Sequence, residues 1–343
     1  KIIPRTSQEV RFLYCIMAKM TNKEKIVLYT FPPVPNSYSA SPFAIKTESF
    51  LRINNIPYEK CYTSSFGNNG TIPYLRIFYD DSHGDNKSAG DSDETFEEIS
   101  DSNEIIARLL KDTRFDTKSD ANLTKEQKAI GHASLRMLEE HTTQTGFYFR
   151  YILNMSEFCE ATELRERMFM GDESRLGNFI FIMFKIMMFI GWMDRAKARG
   201  FLRYSSLDAV WAMASEDLKA LEDLLSDDNY FFGQLHPSTL DCTVFGHLSQ
   251  FLYIRIDLPQ QKYIKESCPK LLRFMEQFKQ MYFPDWEALC QKQPNEAMKA
   301  GSPKVQKGAK LKQAAMFGAA TLLVAVGMGA KLYFSNNSSS QEL

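Results

Sequence analysis

No two of the six cysteines in this 343-residue chain stand close enough to share a metal or a redox step. Cys15, Cys61, Cys159, Cys242, Cys268 and Cys290 are scattered, with no CxxC pair, whereas zinc sites and dithiol chemistry need short ligand spacing. Such thiols read as reduced cysteines of a cytosolic protein. The five histidines include no HExxH pair, so the sequence offers no metal site. A net charge of −1 gives no argument for nucleic acid. Residues 1–24 lack the apolar core and cleavage site of a secretory signal and are expected to form a flexible N-terminal segment.

What is present is apolar and aromatic. The chain is 44% hydrophobic and holds 26 Phe, which suggests a large helical core, and its length suits about two domains. The stretch from Lys25 to Leu75 organises the rest. Ile26 to Tyr29 is a short β-type run ending at Phe31-Pro32-Pro33. Ser41 is a good N-cap and Pro42 suits the first helical position, where its missing N–H costs nothing. Phe43, Ile45, Thr47, Phe50, Leu51 and Ile53 give that helix a packing face, with Lys46, Glu48 and Arg52 expected to face water. A second strand is expected over Tyr58 to Thr63, and a third after Thr71-Ile72-Pro73. A proline directly before a strand is often cis, since X–Pro bonds have little trans preference. The order implies a thioredoxin-like domain over 25–112.

Residues 80–94 are acidic and nearly free of apolar side chains, and read as a flexible insertion. Phe96 to Ile99 is the returning strand, and Ser102 is expected to cap a helix through Leu110. Beyond a polar linker, residues 123–291 read as all-helical. Ile130, Leu135 and Leu138 share one side of the first helix. Asn178 to Met193 is apolar nearly all round but rises only about 24 Å, short of a bilayer core of roughly 30 Å, with Lys185 at its centre. A buried core helix is expected. Ser238-Thr239-Leu240-Asp241 is a capping box that opens another apolar helix.

Ser41-Pro42-Phe43, Ile72-Pro73 and Ile99-Ser100-Asp101-Ser102 resemble the N-terminal domain of a glutathione S-transferase. The finer likeness is to the failed axon connections (Fax) family, which is close to the metaxins and the cadmium-responsive proteins. It rests on Ser41-Pro42-Phe43…Lys46…Glu48…Leu51-Arg52…Ile56-Pro57-Tyr58, on Phe231-Phe232-Gly233 with Ser238 to Asp241, on Val244 to Tyr253, and on Tyr282-Phe283-Pro284-Asp285-Trp286. The resemblance covers about residues 25–291. It implies the α+β transferase fold, glutathione as ligand, and a role in axon development. By the same resemblance, Ile72 and Pro73 would pair with the cysteinyl backbone of glutathione, and Asp101 and Ser102 would hold its γ-glutamyl group. Ser41 would stand near the sulfur as the catalytic position, with Tyr29 a weaker alternative. No cysteine occupies position 41, so a mixed disulfide there is excluded. The competing expectation is a non-enzymatic, metaxin-like scaffold for organelle transport or outer-membrane import, with a homodimer or a metaxin-like protein as partner.

Residues 292–312 form a lysine-bearing linker. Ala314 to Ala330 then carries no charge, and the run to Phe334 would be about 31 Å as a helix, long enough to span a bilayer. Residues 313–334 are therefore expected to be a transmembrane tail anchor. The lysine flank keeps the globular part in the cytosol, on the mitochondrial outer membrane or the endoplasmic reticulum.

Overall fold

The computed structural model describes residues 24–63, 65–79, 95–169, 173–204, 206–226 and 230–291. The acidic insertion, the basic linker, the tail anchor and all of the expected N-terminal segment except Glu24, which begins the first strand, lie outside the described residues.

Four strands form one mixed sheet in the order β2-β1-β3-β4: β1 (Glu24–Thr30), β2 (Glu59–Tyr62), β3 (Tyr74–Tyr79) and β4 (Phe96–Ser100). β1 runs parallel to β2, which requires a crossover, and helix α1 (Pro42–Ile53) supplies it. β3 is antiparallel to both β1 and β4, and the Ile72–Pro73 peptide before it is cis. Helix α2 (Ser102–Leu110) follows β4. Ile26, Leu28, Leu75, Ile77 and Ile99 of the sheet share a core with Ile45, Phe50 and Leu51 of α1 and with Ile105 and Leu109 of α2. That core continues without a break into the helical half.

The helical half opens with α3 (Lys125–Met137), α4 (Thr143–Tyr148), α5 (Met155–Ala161) and α6 (Leu164–Phe169). It continues with α7 (Arg175–Ala198), α8 (Leu207–Leu224), α9 (Thr239–Leu252), α10 (Pro259–Ser267), α11 (Pro269–Tyr282) and α12 (Trp286–Cys290). Between α3 and α4 the chain widens into a π-turn over Leu138–Thr142. Side chains take up carbonyls there: Gln144 Nε2 donates to the Glu139 carbonyl at 3.0 Å and Thr142 Oγ1 to that of Met137 at 3.4 Å.

α9 is the buried axis of this half, with Leu240 to Leu252 all inside. Its start is the expected capping box. Ser238 Oγ accepts from Asp241 N at 3.4 Å while the Asp241 carboxylate accepts from Ser238 N at 2.7 Å and from Phe231 N at 3.0 Å. α9 crosses α1 almost backbone to backbone. A Cβ on Gly246 would stand 2.7 Å from both the Lys46 nitrogen and the Pro42 carbonyl oxygen, so only glycine fits.

This crossing overturns one expectation. α1 lies between the sheet and α9 and has no water face: Lys46 and Glu48 are buried and Arg52 is nearly so. Their charges are met internally instead. Arg52 forms a bidentate pair with Asp285, 2.7 and 2.8 Å, and also donates to the Tyr282 carbonyl. Glu48 accepts from Lys60 and from the Tyr58 hydroxyl, each at 2.6 Å. The lysine and guanidinium beside Glu48 hold its carboxyl below the usual range against the burial that would raise it. Trp286, packed on Tyr38 and Phe245, closes the same contact. The separated sequence motifs at 46–58 and 282–286 therefore meet in space.

Three further differences are local. Ile130 is exposed, because α3 stands at the edge of the helical half. The cap of α2 is Asp101, whose side chain accepts from Asn103 N at 2.8 Å and Glu104 N at 3.4 Å, so Ser102 is the first helical residue. α7 is longer than the expected Asn178–Met193 and is not a buried core helix. Of its 24 residues only Gly177 and Ala196 are buried. Phe181, Phe184, Met188 and Trp192 pack one side of it on the core, Trp192 stacking on Tyr151 at 4.7 Å, and among the described residues nothing covers the other side.

Candidate functional site

The register of the sheet gathers the sequence-derived site residues at one end of it. Tyr29 near the end of β1 faces Tyr74 at the start of β3, and Tyr74 faces Ser100 at the end of β4. The loop leading to Ser41, the cis Ile72–Pro73 peptide and the Asp101-Ser102 start of α2 therefore leave the sheet from the same edge.

Each residue has a definite state there. Ile72 is buried, and among the described residues neither its N–H nor its carbonyl takes part in a hydrogen bond. Asp101 holds a φ of 75°, which aims its exposed carboxylate back over the first turn of α2. Ser102 is 1% exposed, yet among the described residues its hydroxyl has no hydrogen-bond partner. A buried hydroxyl is ordinarily satisfied, and leaving one open is unfavourable by about 1–3 kcal/mol. Here it stands at the N-terminus of a nine-residue helix, where partial positive charge accumulates.

Ser41 is different. It is buried, its hydroxyl accepts from Ala44 N at 3.4 Å, and its own N–H donates to Ser39 Oγ at 3.2 Å. The hydroxyl is engaged as the cap of α1. Tyr29 stacks on Tyr74 at 4.5 Å with the Arg76 guanidinium over its ring, and burial raises its phenol above the ordinary value. A raised phenol is a poor stabiliser of a thiolate.

Directly beneath the Asp101-Ser102 turn is a buried polar centre. Lys46 Nζ lies 2.6 Å from Glu139 Oε1 and 2.6 Å from Asn103 Oδ1, and Asn103 Nδ2 donates to Glu139 Oε2 at 2.9 Å. His247 is packed edge-on against Phe43, with Nδ1 2.6 Å from Thr143 Oγ1 and Nε2 3.7 Å from Glu139, too far for a hydrogen bond. Burial works against the charged form of Glu139, but the imidazole and the Lys46 ammonium outweigh it and hold the carboxyl at about 2. Burial pulls both Lys46 and His247 below their ordinary values. The centre fixes the first turn of α2 to α1 on one side and to the π-turn on the other. Asn103, Glu139 and His247 carry no site motif of their own. Their one signal is a shortage: a 12-residue helix whose few charges include a lysine among Ile45 and Thr47 needs an internal anion.

Chemically, the edge offers a carboxylate, an unpartnered buried hydroxyl, the Ser102 N–H and the unpaired backbone amide and carbonyl of Ile72, since Asn103 N and Glu104 N already donate to Asp101. Those groups suit an α-amino acid end joined to an extended peptide. Among the described residues no three metal-binding side chains converge.

Two family models match the chain, the glutathione S-transferase N-terminal domain over residues 42–158 and the glutathione S-transferase C-terminal domain over residues 214–278. Failed axon connections from Drosophila melanogaster is 30% identical over 283 residues, 79% of this chain, which spans 62% of that relative's length. Isoprene-epoxide–glutathione S-transferase from Rhodococcus sp. (strain AD45) is 26% identical over 271 residues, covering 75% of this chain and 99% of that one. Among solved structures, the β-etherase LigF from Sphingobium sp. strain SYK-6 is 14% identical over 77% of this chain and 98% of that one, with a TM-score of 0.47.

Proposed function

From a chain that is a glutathione S-transferase-like protein related to Failed axon connections, we infer a glutathione-binding protein tethered to a membrane. The observation that carries the reading is the buried, unpartnered Ser102 hydroxyl at the start of α2. In this reading the γ-glutamyl carboxylate takes the Ser102 hydroxyl and the Ser102 N–H, its ammonium takes Asp101, and the cysteinyl backbone pairs with Ile72 beside Pro73. A relative whose name includes glutathione supports the choice of ligand. Ser41, the position nearest the sulfur in this arrangement, accepts from Ala44 N as a cap and keeps its own O–H proton to donate, so turnover is a separate question from binding.

The membrane tether of the reading is the apolar run from Ala314 to Phe334, placing the globular part in the cytosol on the mitochondrial outer membrane or the endoplasmic reticulum. The relative's name supports a role in axon connection. Calorimetric titration of the full chain in detergent with millimolar glutathione is the test. Saturable heat that free γ-glutamyl dipeptide partly reproduces is the expected result. Absence of heat overturns the reading and leaves a metaxin-like scaffold that keeps the fold without the ligand.

A further inference from the structure

We propose that the uncovered face of α7 lies flat in the headgroup region of an anionic membrane. Among the described residues this is the one helix long and apolar enough to cross a bilayer. It cannot cross while packed, because Phe181, Phe184, Met188 and Trp192 hold its other side against the core. What it presents outward is a stripe at helical spacing: Phe179, Ile182, Ile186 and Phe189 are 56%, 53%, 43% and 41% exposed. Scattered exposed apolar residues are ordinary on a soluble surface; four in register along one helix are a contact surface.

The charges select the occupant. Arg175 opens the same stripe and Lys197 closes it, both exposed, about 33 Å apart at 1.5 Å per residue. The helix holds one acidic residue, Asp194, and Arg203 adds to the cations just beyond its end. A second copy laid on this face would set Arg175 against Lys197 if antiparallel, or each cation against itself if parallel. Either arrangement brings like charges together at both ends. Phosphate and serine headgroups meet both cations at once while the apolar residues between them enter the acyl boundary, the geometry of a helix lying in the interface plane. The inference rests on α7 alone and needs no contribution from the C-terminal apolar run.

The test uses the full chain with phosphatidylcholine–phosphatidylserine vesicles whose acyl chains are brominated near the headgroups. Bromine quenches only an indole that reaches the acyl boundary. I186W, with the parent protein subtracted, is expected to lose most of its added emission and to be shielded from aqueous acrylamide. K128W, on the exposed side of α3, is expected to keep its emission. F179W repeats the measurement should Ile186 disturb local packing. Emission of I186W and F179W that is indifferent to bromine overturns the proposal. With access to acrylamide that result means a bare face, and without it a covering protein, a second copy included. Equal quenching in phosphatidylcholine alone, unchanged by R175Q/K197Q, overturns the anionic assignment.

Discussion

Lys46 and Glu139 lie 2.6 Å apart with side chains 0% and 4% exposed, joining the first helix of the thioredoxin-like half to the π-turn of the helical half. Neither charge has water to return to if its partner is removed. Lys46→Met alone or Glu139→Leu alone should therefore destabilise by about 3–5 kcal/mol, the usual penalty for an uncompensated buried charge. The double variant should recover most of the loss, since it buries apolar volume and leaves no charge unpaired, the remaining deficit being the Asn103 amide, which loses both partners. Urea unfolding of the four proteins gives the coupling directly. Additive losses would mean that the pair does not act as a unit.

The same centre sets the acid stability. Glu139 is held at about 2 when folded, below its ordinary 4.5, so its contribution is full above 4.5 and is lost as pH falls toward 2. His247 is held below its ordinary 6.5, so the unfolded chain takes up that proton first and stability falls as pH drops below 6.5. Melting temperature should decline from about pH 6.5 downward and steepen below about 4.5, the Glu139 part amounting to about 3 kcal/mol. E139Q should flatten the lower limb. A melting temperature level from pH 7 to 4 would contradict the assignment.

Gly246 tests the crossing of α1 and α9. Its added Cβ would meet backbone, which cannot rotate aside as a side chain could. Gly246→Ala should destabilise by about 1–3 kcal/mol despite the better helix propensity of alanine. A stabilised variant in thermal unfolding would show that the helices can separate at no penalty.

Ser102→Ala separates site from scaffold. Because the hydroxyl has no internal partner, its loss should leave stability unchanged or slightly raised. Glutathione affinity should nevertheless fall by about 1.5–3 kcal/mol, the worth of a hydrogen bond to a charged group. Ser41→Ala should show the reverse, with a loss of about 0.5–2 kcal/mol of stability through the cap and little change in affinity. Calorimetry and melting on the same samples distinguish the two.

Much of the fold was legible in sequence because its signals are local. Ser41 with Pro42, Ile72 with Pro73, and Ser238 with Asp241 each announce a backbone event within four residues. What stayed hidden depends on layers. Period alone assigns Lys46, Glu48 and Arg52 to a water face, and it cannot register that α9 covers that face. α7 misleads in the opposite direction, since a helix apolar all round implies burial on every side, yet its neighbours cover only one. Of the candidate site, the motif at 99–102 points to Ser102, and the structure adds that its hydroxyl is buried and unpartnered among the described residues. The centre beneath it draws on residues 46, 103, 139 and 247, and no pattern in sequence links such distant positions.

The bidentate pair between Arg52 and Asp285 has a consequence for how the protein is made. The two residues are 233 positions apart, and Glu139 is likewise 93 positions beyond Lys46. As the chain emerges from the ribosome, α1 appears early with Lys46 and Arg52 still lacking Glu139 and Asp285, although Glu48 already lies one turn from Arg52. Until Tyr282 to Trp286 arrive, Arg52 has only Glu48 as a charged partner and Tyr38 lacks the indole against which it packs. The first half to be translated is thus among the last to be finished.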